Sequence, residues 1–207
     1  MEISRRRFCL ASLTLPLAGC LQPPPPPPEL APLSYAARRD GGHVVPAVPI
    51  EQIPQDFHRQ IVPLASEFEP GTLIVDTGSR HIYLLLEDDY ALRYGIGVGR
   101  EGFGWTGASQ VFARRSWPTW TPPPEMIKRQ PELARWAEGQ PGGPRNPLGA
   151  RAIYLAVDGR DTGYRIHGTP EWQSIGQAAS SGCFRMINHD VIDLFDRVRA
   201  GTSVIVV

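Results

Sequence analysis

Cysteine is scarce in this chain: Cys9, Cys20 and Cys183 are the three among 207 residues. That is too few for a disulfide framework, so a stable fold has to come from an apolar core. Long apolar runs are missing too. The longest N-terminal stretch, 8–18, falls short of the roughly 20 residues that a membrane-spanning helix needs. Excess charge of one sign is also lacking, because 21 Lys and Arg balance 21 Asp and Glu. With no basic patch, nucleic acid is not an expected partner. Proline and glycine are plentiful instead, at 22 and 21 residues, with 42% hydrophobic content. That balance predicts one loop-rich, mainly β domain with a real core, plus a tail.

The tail carries an address. Ser4-Arg5-Arg6-Arg7-Phe8 precedes a short apolar stretch closing on Leu17-Ala18-Gly19-Cys20. A positive head, a short apolar segment and small residues before a cut make residues 1–19 an export signal. The arginines fit either a twin-arginine motif, exported folded, or an ordinary basic head. Leu17-Ala18-Gly19-Cys20 resembles a lipobox, at which Cys20 becomes the lipidated N-terminus; simple cleavage to a soluble secreted form is the alternative. Removing 1–19 takes away three arginines and one glutamate, which leaves the mature chain weakly acidic. The prolines at 23–28 favour an extended polyproline stalk. The expected organisation is a signal peptide at 1–19, a lipid-anchored proline-rich tether at 20–69 and a catalytic domain at 70–207, exported, periplasmic and membrane-anchored.

The tether is expected to hold at most a short helix near 54–68. From Gly71 the texture changes to β-branched and alternating residues. Strands are expected at 72–76 and 81–86, forming a hairpin, then at 91–98, 152–157 and 164–167. Between Trp105 and Gly149 the sequence reads as a long insertion with one short helix, at 124–130 or 131–138. Insertions of that length are characteristically lids or binding loops, and Trp117 and Trp120 suit a ligand groove. Residues 188–198 carry Val191, Ile192, Leu194, Phe195 and Val198 on one face, a helix with Asn188 or Asp190 as N-cap. A strand at 203–207 ends the chain.

Once Cys9 leaves and Cys20 carries lipid, Cys183 is the one thiol remaining. In an oxidising compartment such a cysteine is either buried and inert or kept for its reactivity. Its surroundings favour reactivity. His167 ends a strand 16 residues earlier, Gly182 allows the backbone to turn beside the nucleophile, and a predicted helix start follows; imidazole and helix N-terminus are both thiolate stabilisers. A glycine beside the nucleophile also lets the backbone present N–H groups to a developing oxyanion.

The pattern His167-Gly168-Thr169, then Ile175-Gly176, then Ser180-Ser181-Gly182-Cys183-Phe184-Arg185-Met186-Ile187-Asn188 resembles the L,D-transpeptidases with a YkuD-type catalytic domain. The resemblance runs from about Gly71 to Val207, with Ser181 standing where many members have a second histidine. It implies a YkuD-type β-sandwich of mixed sheets with a short C-terminal helix and a lid-like loop. It also implies Cys183 as nucleophile, His167 as general base oriented by the backbone carbonyl of Ser180, and an oxyanion hole at Gly182 and Cys183. Arg185, Ser181, Gly168, Trp117 and Trp120 would contact substrate, with Arg185 alternatively bracing the loop and Asn188 acting as brace or cap. The implied substrate is a peptidoglycan stem peptide: Cys183 attacks at the L-centre of diaminopimelate, D-alanine leaves, and an amine acceptor resolves the thioester. That acceptor is a second stem or an attached lipoprotein, and no metal or cofactor is called for. An L,D-carboxypeptidase or hydrolase of the same fold, and a non-catalytic wall-binding lipoprotein, are the alternatives.

Overall fold

The segment expected to be a loose tether contributes three strands, β1 (Arg38–Asp40), β2 (His43–Val45) and β3 (Gln60–Pro63), and two single turns of 3-10 helix, Ile50–Gln52 and Gln55–Phe57. The structure, a computed structural model, describes residues 25–100, 104–180 and 182–207; the signal peptide, Cys20 and Ser181 lie outside them. The tether expectation is therefore corrected. From Leu30, which packs against the main core, the chain is built into the domain. Three anchors hold it. Asp40 takes both arms of Arg151 at 2.7 and 2.8 Å, Tyr35 donates to Asp190 at 2.7 Å, and Arg59 bridges to Asp193 at 2.8 Å. The elements are three or four residues long, too short for their periodicity to register in the sequence.

The expected hairpin forms as β4 (Leu73–Asp76) and β5 (His81–Leu85), followed by β6 (Tyr90–Gly95) and β7 (Val98–Gly99). A ten-residue strand, β8 (Gly107–Ser116), then occupies what the sequence presents as the start of the insertion. Its Gly-Ala-Ser-Gln-Val-Phe-Ala-Arg-Arg-Ser sequence has little β-branched content. Only Val111 is fully buried, and a register shift between Val111 and Ala113 breaks the alternation. Helix α1 (Pro124–Arg129) and a 3-10 turn at Pro131–Trp136 lie in the remaining loop, so both helical alternatives are realised. Strands β9 (Arg151–Val157), β10 (Arg160–Thr169), β11 (Ala178–Ser180) and β12 (Phe184–Ile187), helix α2 (Asn188–Arg197) and β13 (Ser203–Val206) complete the chain.

Nine strands form one mixed sheet in the order β12-β10-β9-β8-β13-β4-β5-β6-β3, with a small parallel pair, β11 and β7, beside it. The mainly β expectation holds, but the two layers come from one sheet that curls on itself. Gly97, two residues past β6, exchanges backbone hydrogen bonds of 2.8 and 2.9 Å with Arg185 of the opposite edge strand. Curling encloses an apolar core drawn from both halves, including Leu73, Ile82, Tyr94, Leu155, Ile166 and Met186, and each such side chain stabilises the fold by about 1.5–3 kcal/mol through burial. Helix α2 sets Val191 and Leu194 into that core. Its N-cap is Ile187 with no side-chain cap bond, so neither Asn188 nor Asp190 caps it as expected.

Candidate active site

Strands β10 and β12 run parallel, with Ile166 opposite Phe184 and His167 opposite Arg185. Successive side chains on a strand point to opposite faces, and register partners share one. Ile166, Phe184 and Met186 enter the core. Arg165, His167 and Arg185 lie on the other face, and Cys183, one step before β12, falls on that face opposite Arg165. The strand pairing that fills the core is thus what brings His167 beside Cys183. Both line one cavity of about 990 Å³ together with Gly163, Glu171 and Arg185.

Gly182 precedes the cysteine at φ +125°, a conformation that L side chains rarely adopt. The turn expected at that glycine is present. The helix expected to stabilise the thiolate is not in reach, because all of β12 separates Cys183 from α2. Four strand residues span about 13 Å, whereas a helix terminus acts mainly within its own first turn.

His167 is buried, and its Nδ1 lies 2.6 Å from the carbonyl oxygen of Gly168. A carbonyl only accepts, so Nδ1 carries the proton and Nε2 keeps its lone pair. The orienting role expected of the Ser180 carbonyl is therefore filled by Gly168, since a neutral imidazole has a single N–H. Gly168 itself is buried, and a Cβ there would sit 2.2 Å from Asn188 Oδ1 and 3.1 Å from Val191. Asn188 is the brace that forces this closeness, accepting from Ala150 N–H at 2.8 Å and donating to the Thr169 carbonyl at 3.0 Å.

Burial pushes the His167 pKa down to about 4; the Gly168 hydrogen bond opposes this, while the charges of Arg185 and Arg165 add to it. Burial also pushes the Cys183 thiol up, against the Arg165 backbone N–H and the charges of Arg165 and Arg185. Near pH 7 the resting pair is neutral imidazole beside neutral thiol, not an ion pair. Cys183 Sγ also lies 3.8 Å from the Gly163 carbonyl. That arrangement suits a base that takes the thiol proton as the sulfur attacks.

The loop at 117–149 makes the facing wall of the cavity. Trp120 lines it, as expected, along with Met126, Leu133 and Trp136. Trp117 does not. Its Nε1 donates to Asp40 at 2.8 Å, and its ring packs on Val45, Ala150 and Ile192, so it fastens the loop base instead. Asn146 secures the same base: it is buried, and its Nδ2 faces the carbonyls of Pro118, Gln140 and Pro141 at 3.0–3.1 Å. Gly142 lies so close over Trp117 that a Cβ would be 2.1 Å from its carbonyl oxygen. Arg185 reaches the cavity but donates to Glu171 at 2.8 Å, in a pair whose carboxylate is largely exposed. The Gly168 and Gly163 carbonyls have no side chain and so left no sequence signal. Trp136 could have been found as a further aromatic of the same loop.

The family model for the L,D-transpeptidase catalytic domain, YkuD, matches residues 70–206. Escherichia coli K12 proteins named Probable L,D-transpeptidase ErfK/SrfK and YbiS are 36% and 37% identical over 141 and 119 residues, which are 64% and 53% of this chain. The matched parts are 42% and 35% of those relatives, so this chain aligns with under half of their length. A crystal structure from Brucella melitensis, described as a probable carnitine operon oxidoreductase caia, is 45% identical with a TM-score of 0.53 and covers 73% of this chain and 94% of its own. The model match spans every strand of the curled sheet except β3, together with both catalytic candidates and α2, and on that ground the chain belongs to the YkuD family of L,D-transpeptidase catalytic domains.

Proposed function

We propose that the protein is a cysteine acyltransferase acting on peptidoglycan stem peptides, an L,D-transpeptidase. One observation carries the reading: His167 spends its Nδ1 proton on the Gly168 carbonyl, which leaves Nε2 as the base in the cavity that Cys183 lines. Sγ attacks the carbonyl at the L-centre of diaminopimelate while Nε2 takes the thiol proton. The oxyanion is met by the N–H groups of Gly182 and Cys183. The intermediate collapses by breaking the C–N bond, and the imidazolium returns its proton to the departing D-alanine amine. An acceptor amine then attacks the thioester, gives its proton to His167 and expels the thiol. Cross-linking follows when the amine belongs to a second stem, anchoring when it belongs to a lipoprotein, and carboxypeptidase action when water resolves the thioester.

The signal at 1–19 and the lipobox at Cys20 support placing this chemistry outside the cytoplasm, tethered to a membrane. Intact-mass measurement of the mature protein checks that placement, since a diacylglyceryl group on Cys20 adds a defined mass. The activity itself is tested by incubating purified protein with tetrapeptide stems and following products by mass spectrometry. D-Alanine release with a dimer or thioester species is expected. Release that persists in Cys183→Ala would overturn the assignment.

A further inference from the structure

Among the described residues six arginines are matched with carboxylates: Arg59 and Arg197 with Asp193, Arg93 with Asp56, Arg151 with Asp40, Arg165 with Asp161, and Arg185 with Glu171. Of those that form no ion pair among the described residues, Arg100, Arg135 and Arg145 line the cavity of Cys183 and His167. They arrive from separate segments: just past β7, near the end of the 3-10 turn Pro131–Trp136, and on the turn before the buried Asn146. Among the described residues the one acid lining that cavity, Glu171, already holds Arg185. A chain with no net charge thus concentrates unmatched positive charge around its nucleophile.

We propose that Arg100, Arg135 and Arg145 form a carboxylate-reading rim that selects donor peptides whose carboxylates beside the scissile bond are free rather than amidated. The proposal rests on the acyl-transfer reading and adds a specificity to it. Guanidinium presents paired N–H groups matched to a carboxylate, so it reads the acid form and has little to offer a neutral amide. Arg135 is the best placed to do so in a fixed orientation, because its Cζ lies 5.4 Å from the centroid of the Trp136 ring. Arg135 and Arg145 sit on the loop wall and Arg100 just past β7; none is on β10 or β12, so the rim can bind without disturbing the geometry that activates the thiol.

The test uses the full chain carrying Cys183→Ala and two tetrapeptide stems that differ only in having their side carboxylates free or amidated. Calorimetric titration at low salt should show the acid form binding about tenfold tighter, as two exposed charge-assisted contacts allow. Raising the salt should shrink that difference. Adding Arg135→Gln and Arg145→Gln together should abolish it while changing affinity for the amide form less than about twofold, with Arg100→Gln giving a smaller loss. Equal affinity for both peptides, or a preference that survives the double substitution, overturns the rim. Turnover by the wild-type protein separates the two readings. Tight, selective binding without D-alanine release would fail the acyl-transfer reading and leave the rim standing, whereas equal turnover of both peptides, with equal binding, would sink the rim alone.

Discussion

The cavity has two walls built in different ways. One consists of adjacent strands: His167 and Cys183 are placed by the β10–β12 register, with the core beneath them and Asn188 locking Gly168 behind. The other is the loop at 117–149, clamped at its base by Trp117 and Asn146 but exposed over much of its tip, from Glu125 to Glu138. The difference separates positioning from recognition. Proton transfer tolerates little misplacement, so its groups stand on hydrogen-bonded backbone. Substrate contacts benefit from adjustable side chains on a wall whose attachment alone is fixed.

The largest effects should come from the strand wall. Cys183→Ala is expected to lower D-alanine release by at least about 10⁴-fold, and His167→Ala by about 10²–10⁴-fold, with circular dichroism spectra unchanged. The pH profile tests how deeply that wall is buried. The base works only when neutral, and burial holds its pKa near 4. So kcat/KM should stay level from pH 7 to about 5 and fall tenfold per unit below about 4. An acid limb near the ordinary histidine value of about 6.5 would instead mean a solvent-exposed imidazole and would erase the contrast between the walls.

The two loop tryptophans divide the second wall. Trp117→Ala removes the Asp40 hydrogen bond and the packing on Val45, Ala150 and Ile192. It should cost about 3–5 kcal/mol and lower the melting temperature by roughly 10 °C. Asn146→Ala should destabilise by about 1–3 kcal/mol, since three carbonyls lose their shared donor. Trp120→Ala should do the reverse of Trp117→Ala, leaving the melting temperature within about 2 °C while raising KM. If Trp120→Ala unfolded the protein, or Trp117→Ala altered only KM, the division into base and binding surface would fail.

The same two walls differ in how far the sequence discloses them. Cys183, His167 and the Gly182 turn were legible because they combine reactive residue types with strand and turn signals, and the strands around them carry enough Val, Ile, Leu and Tyr to be read. The orienting carbonyl was not. It belongs to Gly168, and any residue type has a carbonyl there, so only the fold tells it from that of Ser180. Trp117 and Trp120 read alike as residues; three positions apart, one turns to Asp40 and the other to the cavity. The strap at 30–63 and strand β8 were hidden for a related reason. Their stability comes from a few long-range partners, such as Asp40 with Arg151, and from pairing on both edges of β8. Local periodicity records neither kind of contact.

The smallest effect is expected where the walls meet. Arg185 stands on the strand wall and donates to Glu171 at 2.8 Å, but the carboxylate is two-thirds exposed. An ion pair so open to water contributes about 0–1 kcal/mol, so Glu171→Gln should shift the melting temperature by no more than about 2–4 °C. Its consequence for function should be small and in a defined direction. Removing the acid unmasks the Arg185 guanidinium beside His167, which strengthens one of the charges that already disfavour the imidazolium. The acid limb of kcat/KM should therefore move slightly to lower pH. A move to higher pH would mean that Glu171 had been disfavouring the imidazolium, the opposite of what a neighbouring carboxylate does, and Arg185 would then have to be placed outside the electrostatics of the base.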